Sequence, residues 1–206
     1  MKKLLSCVAG LLICAAAVFA DTSAEEIFTN YNKPLNKKGG DFILNVGAGI
    51  DDNLFYGTVT TNRWYIPPVF VTGEWTVKCG VVPLGFGFEA GYVGHGYTYY
   101  NNYLNDKDVY SWNNFVVAAL ANYHINLPVD NLDVYAGPRL GAALVIRDYK
   151  YYNNGNLVEN SSGTTTYVDF WGGVVLGATY YFSDSFGVNL EVGYPLIAKV
   201  SASFKF

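Results

Sequence analysis

Cysteine is scarce in this chain, and its placement makes it scarcer. Of 206 residues only Cys7, Cys14 and Cys79 are cysteine, and the first two fall within an amino-terminal apolar run. Beyond that run Cys79 stands alone, which excludes an internal disulfide. Histidine occurs only as His95 and His124, which leaves little material for a metal site or a histidine-dependent hydrolase. Charge is also thin, since Asp, Glu, Lys and Arg make up 15% of the chain against about 25% in soluble domains. Without Lys2 and Lys3, which precede that run, 11 basic and 17 acidic residues remain, a formal charge of −6. No basic patch is left to hold nucleic acid. No Gly-rich stretch opens a helix, so phosphate binding has no support and no cofactor is implied. After residue 20 no apolar run is long enough to span a membrane as a helix. Insertion into lipid would have to be by strands.

What is present begins with a leader. Lys2 and Lys3 precede an apolar run from Leu4 to Phe19, and Ala20 is followed by polar Asp21, Thr22 and Ser23. Residues 1–20 read as a signal peptide cleaved after Ala20, with Val18 and Ala20 at the small-residue positions. Lipidation fits less well, because Cys7 comes too early and Ile13 is not the small residue expected before Cys14. Residues 21–40 are polar, with Pro34, Asn36, Lys37, Lys38, Gly39 and Gly40, and read as a flexible periplasmic lead-in.

From residue 41 onward the period is two. Phe42, Leu44, Val46, Ala48 and Ile50 alternate with Ile43, Asn45, Gly47 and Gly49. A second strand sets Val69, Val71, Trp75 and Val77 against Phe70, Thr72, Glu74 and Thr76, with Pro67 and Pro68 confining its regular part to the later residues. The device recurs through Leu84 to Tyr92, Phe115 to Tyr123, Leu132 to Leu144, Phe170 to Tyr180, Phe186 to Tyr194 and Val200 to Phe206, which makes eight strands. Connections alternate long and short, with long loops expected over residues 51–64, 95–111 and 146–165, and only the outer turn near Pro195 is short.

A soluble barrel would also alternate, so the composition of the second face decides. Turned outward, that face would offer water Gly85, Gly87, Gly91, Gly137, Gly141, Gly177 and Gly193, without the Lys and Glu of a soluble surface. Turned inward, the same glycines suit a narrow lumen, and the bulky set meets hydrocarbon. Tyr92, Tyr123, Tyr180, Phe182, Phe204 and Phe206 then fall at strand ends, where aromatic girdles belong. The expected fold is an all-β, eight-stranded antiparallel up-and-down transmembrane β-barrel over residues 41–206, with both ends on the periplasmic side.

The last quarter carries a more specific likeness. Tyr180-Tyr181-Phe182-Ser183-Asp184, Leu190-Glu191-Val192-Gly193-Tyr194 and the closing Ser203-Phe204-Lys205-Phe206 resemble the end of small eight-stranded outer-membrane barrels of the OmpA, OmpX and opacity-protein kind. The resemblance implies residence in the cell outer membrane and lipid as the surrounding partner. It also implies a terminal strand, with Phe204 and Phe206, that is read by the outer-membrane assembly machinery.

Inside such a barrel Glu74, Glu89, Arg139 and Glu191 come to similar depth on four strands. The expectation is a lumenal charge cluster in which Arg139 binds two or more carboxylates. Its excess negative charge has three open resolutions: a protonated Glu, Lys78, or bound water. His124 and Asp133 fall opposite one another if the turn closes Asn126 against Asn131, giving a pair at the periplasmic rim. Outer-membrane acyl hydrolases on similar barrels use a lipid-side Ser/His pair, and His124-Ile125-Asn126 offers no Ser, so no enzyme is expected. The outer loops are the other candidate site. Tyr97, Tyr99, Tyr100 and Tyr103 in one, and Tyr151 and Tyr152 in another, are candidate surface contacts, although Tyr and Asn can equally serve to extend strands and form turns. The expected role is structural or a cell-surface interaction of the adhesin or opacity kind, by a monomer, with a host or surface ligand unspecified. The alternative is a small pore for solutes.

Overall fold

The computed structural model describes residues 40–51, 61–79, 82–101, 105–125, 127, 129 and 131–206. The expected signal peptide and, apart from Gly40, the lead-in lie outside the described residues, as do Tyr103 and the side chains of Lys78 and Cys79.

The period-two stretches form strands because each has one face fit for hydrocarbon and one fit for a narrow interior. The described residues hold nine strands: β1 (Phe42–Asp51), β2 (Thr61–Cys79), β3 (Val82–Asn101), β4 (Asp106–Ile125), β5 (Leu132–Asn153), β6 (Asn156–Leu157), β7 (Gly163–Tyr181), β8 (Phe186–Gly193) and β9 (Leu196–Lys205). Their order is β4-β3-β2-β1-β9-β8-β7-β5-β6, and β4 also pairs with β5. That pairing closes eight antiparallel strands into a ring, leaving the two-residue β6 as a flap on β5. Closure removes the free edges that an open sheet would expose to lipid.

The parity of every strand follows the alternation. Val117, Val168, Phe170 and Val174 are 66%, 68%, 70% and 64% exposed on the outside, whereas Thr72, Glu74, Glu89, Arg139, Asn189 and Ser203 are buried inside. This is the reverse of a water-soluble barrel. Rings cluster at the end where β1 begins and β9 ends: Trp75, Phe42 and Phe206 form one row of contacts, and Phe204, Phe186, Phe182 and Tyr180 another. The last residue is tied to the first strand by paired backbone bonds, Phe206 N to Phe42 O at 2.9 Å and Phe42 N to Phe206 O at 3.0 Å.

The long loops expected over residues 95–111 and 146–165 are mostly strand. β3 and β4 stay paired from Leu84↔Tyr123 to Asn101↔Asp106, and β5 stays paired with β4 up to Asn153↔Asp106 and with β7 up to Tyr149↔Gly163. Above lipid both faces of a strand meet water or neighbouring side chains, so the apolar alternation fades while the ladder continues. Asn154 and Gly155, both with positive φ, form the tight two-residue turn between β5 and β6. Pro67 and Pro68 interrupt β2 without ending it, since its pairing with β3 shifts between Ile66 and Val69 and then resumes to Thr61↔Tyr99. The result is a wall raised on one side, from β2 through β7, and low on the side of β8 and β9.

Candidate functional site

The lumen is filled in two layers. Toward the end where β1 begins and β9 ends, polar side chains from six strands form one hydrogen-bonded network. His124 Nδ1 lies 2.9 and 3.0 Å from the two Asp133 oxygens, and its Nε2 lies 2.5 Å from Glu74 Oε1. Asn122 Nδ2 donates to Glu74 Oε2 at 2.6 Å and Asn122 Oδ1 accepts from Arg139 Nη1 at 2.7 Å. Arg139 Nη2 donates to Glu191 Oε1 at 2.7 Å, and Lys199 is paired with Glu191 and, at 3.0 Å, with Glu89 Oε2. Tyr135 adds a phenol O–H to Glu191 at 2.9 Å, and Asn189 donates to the Tyr135 oxygen at 2.8 Å.

The structure therefore joins Glu74, Glu89, Arg139 and Glu191 with His124 and Asp133, but not by the contacts the spacing predicts. Arg139 makes one close carboxylate contact, Glu191; Glu89 stands 3.9 Å from Nε and Glu74 is reached only through Asn122. Lys199 joins Arg139 as a cation balancing the carboxylates, and the His124 ring lies between two of them. Both nitrogens of that ring face carboxylate oxygens, which requires two ring N–H donors or a protonated carboxyl between them. The rim pair differs in register. His124 is opposite Tyr135 and Ile125 opposite Val134, so Asp133 is diagonal to His124. A slip of two residues keeps both side chains inside, and the contact survives it. Lys199 and Asn122 escaped the sequence reading, although each shares the inward parity of a residue on its own strand: Ser203 for Lys199, His124 for Asn122.

Lumenal glycines are the counterpart of this network. A Cβ on Gly85 would collide with the Glu74 carboxylate, and one on Gly177 with the Tyr135 ring. Both of these glycines face a large side chain of a neighbouring strand and leave it room.

Outward of the charges, Phe70, Val93, Val116, Ala143, Val145 and Leu196 form an apolar plug with Trp112 and Trp171 packed on it. Phe70 and Trp171 stack at 5.9 Å. Free space beside Arg139, Glu191 and Lys199 amounts to about 10 Å³, roughly the least that admits one water.

The raised wall carries the other candidate residues. Tyr99 and Tyr100 are exposed, whereas Tyr97 is packed against Tyr110 and Trp112 at 4.9 and 5.5 Å. Tyr151 donates to Asp106 at 2.9 Å and Tyr149 to Asp108 at 2.7 Å. Lys107 lies 4.8 Å over the Tyr152 ring. The hydrogen bond to Asp108, with a smaller contribution from burial, pushes the Tyr149 phenol pKa up, and Asp106 does the same to Tyr151.

A family profile described as "outer membrane protein beta-barrel domain" matches residues 69–198. No curated protein matches the sequence. Among solved structures the chain is similar to the outer membrane protein OprG from Pseudomonas aeruginosa, at 14% identity and a TM-score of 0.48 over 85% of this chain and 99% of that one. It is also similar to Ail, the attachment invasion locus protein of Yersinia pestis, at 10% identity and a TM-score of 0.41 over 81% of this chain and 99% of that one.

Proposed function

Because the chain belongs to the outer-membrane β-barrel domain family, we propose that it is a surface-interaction protein, whose barrel is an anchor and whose raised β3–β4 and β5–β7 walls meet a partner outside the cell. The filled lumen carries this reading. Four carboxylates, Arg139, Lys199 and His124 bond to one another across it, beneath an apolar plug. Eight strands enclose a space only about wide enough for such side chains, so passage of solutes would require breaking both layers. The same closure leaves His124 no access to a substrate, and the proposed role involves no reaction. Above lipid, by contrast, the wall offers exposed Tyr99 and Tyr100, the kind of rigid amphipathic surface that contacts partners. Phe204 and Phe206 serve assembly in this proposal, with Phe206 joined to β1.

The test shortens the raised wall, replacing residues 95–111 and 147–165 by tight turns. The barrel should still insert and still migrate differently in detergent gels before and after boiling. Adherence of the cells to host cells and to coated surfaces should fall to the level of cells lacking the protein. Unchanged adherence would remove the surface role.

A further inference from the structure

The raised wall holds an aromatic ladder that stops one rung short. Tyr97, Tyr110 and Tyr149 are direct cross-strand neighbours on β3, β4 and β5. Their rings pack against one another in a tilted row, with centroids 4.9 and 4.8 Å apart and planes 31° and 33° apart. The next row toward the membrane is His95, Trp112 and Arg147: the first two stack at 5.1 Å and 11°, and the Arg147 guanidinium lies 5.3 Å from Trp112 and 5.7 Å from Tyr110. Rings this close cover much of one another, so the most open ring faces lie at the ends of a row.

At the β7 end the row runs out of side chain. Opposite Tyr149 stands Gly163, and opposite Arg147 stands Thr165. A Cβ added at Gly163 would meet nothing within 4 Å. Tyr110, Arg147, Tyr149, Gly163 and Thr165 line an open cleft of about 460 Å³. Arg147 is exposed and makes no ion pair among the described residues.

Resting on the surface role proposed above, we infer that this cleft is a carbohydrate site for a pyranose ring bearing a carboxylate, which takes the fourth place in the ladder over Gly163. A pyranose presents a C–H face that packs on an aromatic ring as an apolar plane, while its hydroxyls remain at the rim. Here the rim offers the Thr165 hydroxyl and the Tyr149–Asp108 pair. The guanidinium of Arg147 is a planar fork matched to a carboxylate, and with no ion-pair partner among the described residues it selects an acidic sugar over a neutral one. An aromatic peptide side chain would also stack on Tyr149, but it would bring no ring hydroxyls to that rim.

The test titrates purified full-length protein in lipid nanodiscs, at low salt, with tetragalacturonate and with neutral maltotetraose, by calorimetry. Tetragalacturonate should bind at least about tenfold more tightly than maltotetraose, the scale of one charge-assisted contact. Arg147→Gln should weaken it by at least about tenfold. Gly163→Trp, which supplies the fourth ring from the protein itself, should abolish binding. Lys150→Gln, on the opposite face of β5, should leave it unchanged. Each variant is first shown to fold by its heat-dependent gel migration. Wild-type affinity in Gly163→Trp, equal losses in Lys150→Gln and Arg147→Gln, or binding of a Trp-Asp peptide where the sugar does not bind would each overturn the site. If shortening the wall abolishes adherence while tetragalacturonate never binds, this site falls and the surface role stands. If the sugar binds and adherence survives shortening, the surface role falls instead.

Discussion

Lys199 Nζ sits 3.0 Å from Glu89 Oε2, reaching across the lumen from β9 to β3, three strands away around the wall. The same ammonium pairs with Glu191, which also holds Arg139. Two cations thus share one carboxylate, and the opposite sides of the barrel are bonded through its middle.

Arg139 is 1% exposed, and removing one partner from a buried pair costs about 3–5 kcal/mol. Arg139→Ala should destabilise the barrel by that amount in urea unfolding from lipid. Because Lys199 leans on the same Glu191, Arg139→Ala and Lys199→Ala should combine non-additively in a double-mutant cycle. Additive effects, or no loss from Arg139→Ala, would mean a solvated lumen.

Gly177 faces a ring that has no freedom to move, since Tyr135 is bonded to Glu191 and to Asn189. Gly177→Ala should therefore cost about 1–3 kcal/mol, the scale of overpacking. Tyr135→Phe in the same background should not recover it, because the ring remains. Unfolding midpoints of the wild type and the two variants decide this.

Phe206 is 73% exposed at its side chain yet bonded to Phe42 through its backbone. Its deletion, or Phe206→Asp, should lower outer-membrane levels in cells far more than it lowers the unfolding midpoint of the refolded barrel. Normal levels of the truncated chain in membranes would remove the assembly role given to this residue.

The Tyr149 phenol is held protonated by Asp108 above its ordinary range. The folded state then keeps a proton that the unfolded state loses near pH 10, so this contribution to stability is present below that pH and is lost as pH rises above it. In an alkaline absorbance titration Asp108→Asn should bring one late-titrating tyrosine back toward ordinary values. An unchanged titration would show that the bond is not kept in solution.

The sequence made the barrel legible where lipid reads it. Val117, Phe170 and Val188 face hydrocarbon, their neighbours cannot, and the binary pattern follows directly. The pattern disappears above lipid, where Tyr97, Tyr110 and Tyr149 are held by cross-strand contacts between residues distant in sequence, and strand there reads as loop. Register was similarly hidden. The turn between Ile125 and Val134 has no length that composition dictates, and His124 came to face Tyr135 while still reaching Asp133 diagonally. Lys199 was missed because it stands next to the start of the last regular alternation, four residues after Pro195, although its parity with Ser201 and Ser203 marks it as inward.

The central claim is that the lumen is closed and the function lies outside it, and conductance of single barrels in a planar bilayer tests this most directly. Purified protein inserted across a lipid bilayer should give no steady, large current steps under applied voltage. Reproducible open-channel steps in the wild type, altered when Arg139, Glu191 or Lys199 is replaced, would contradict it and make the protein a pore.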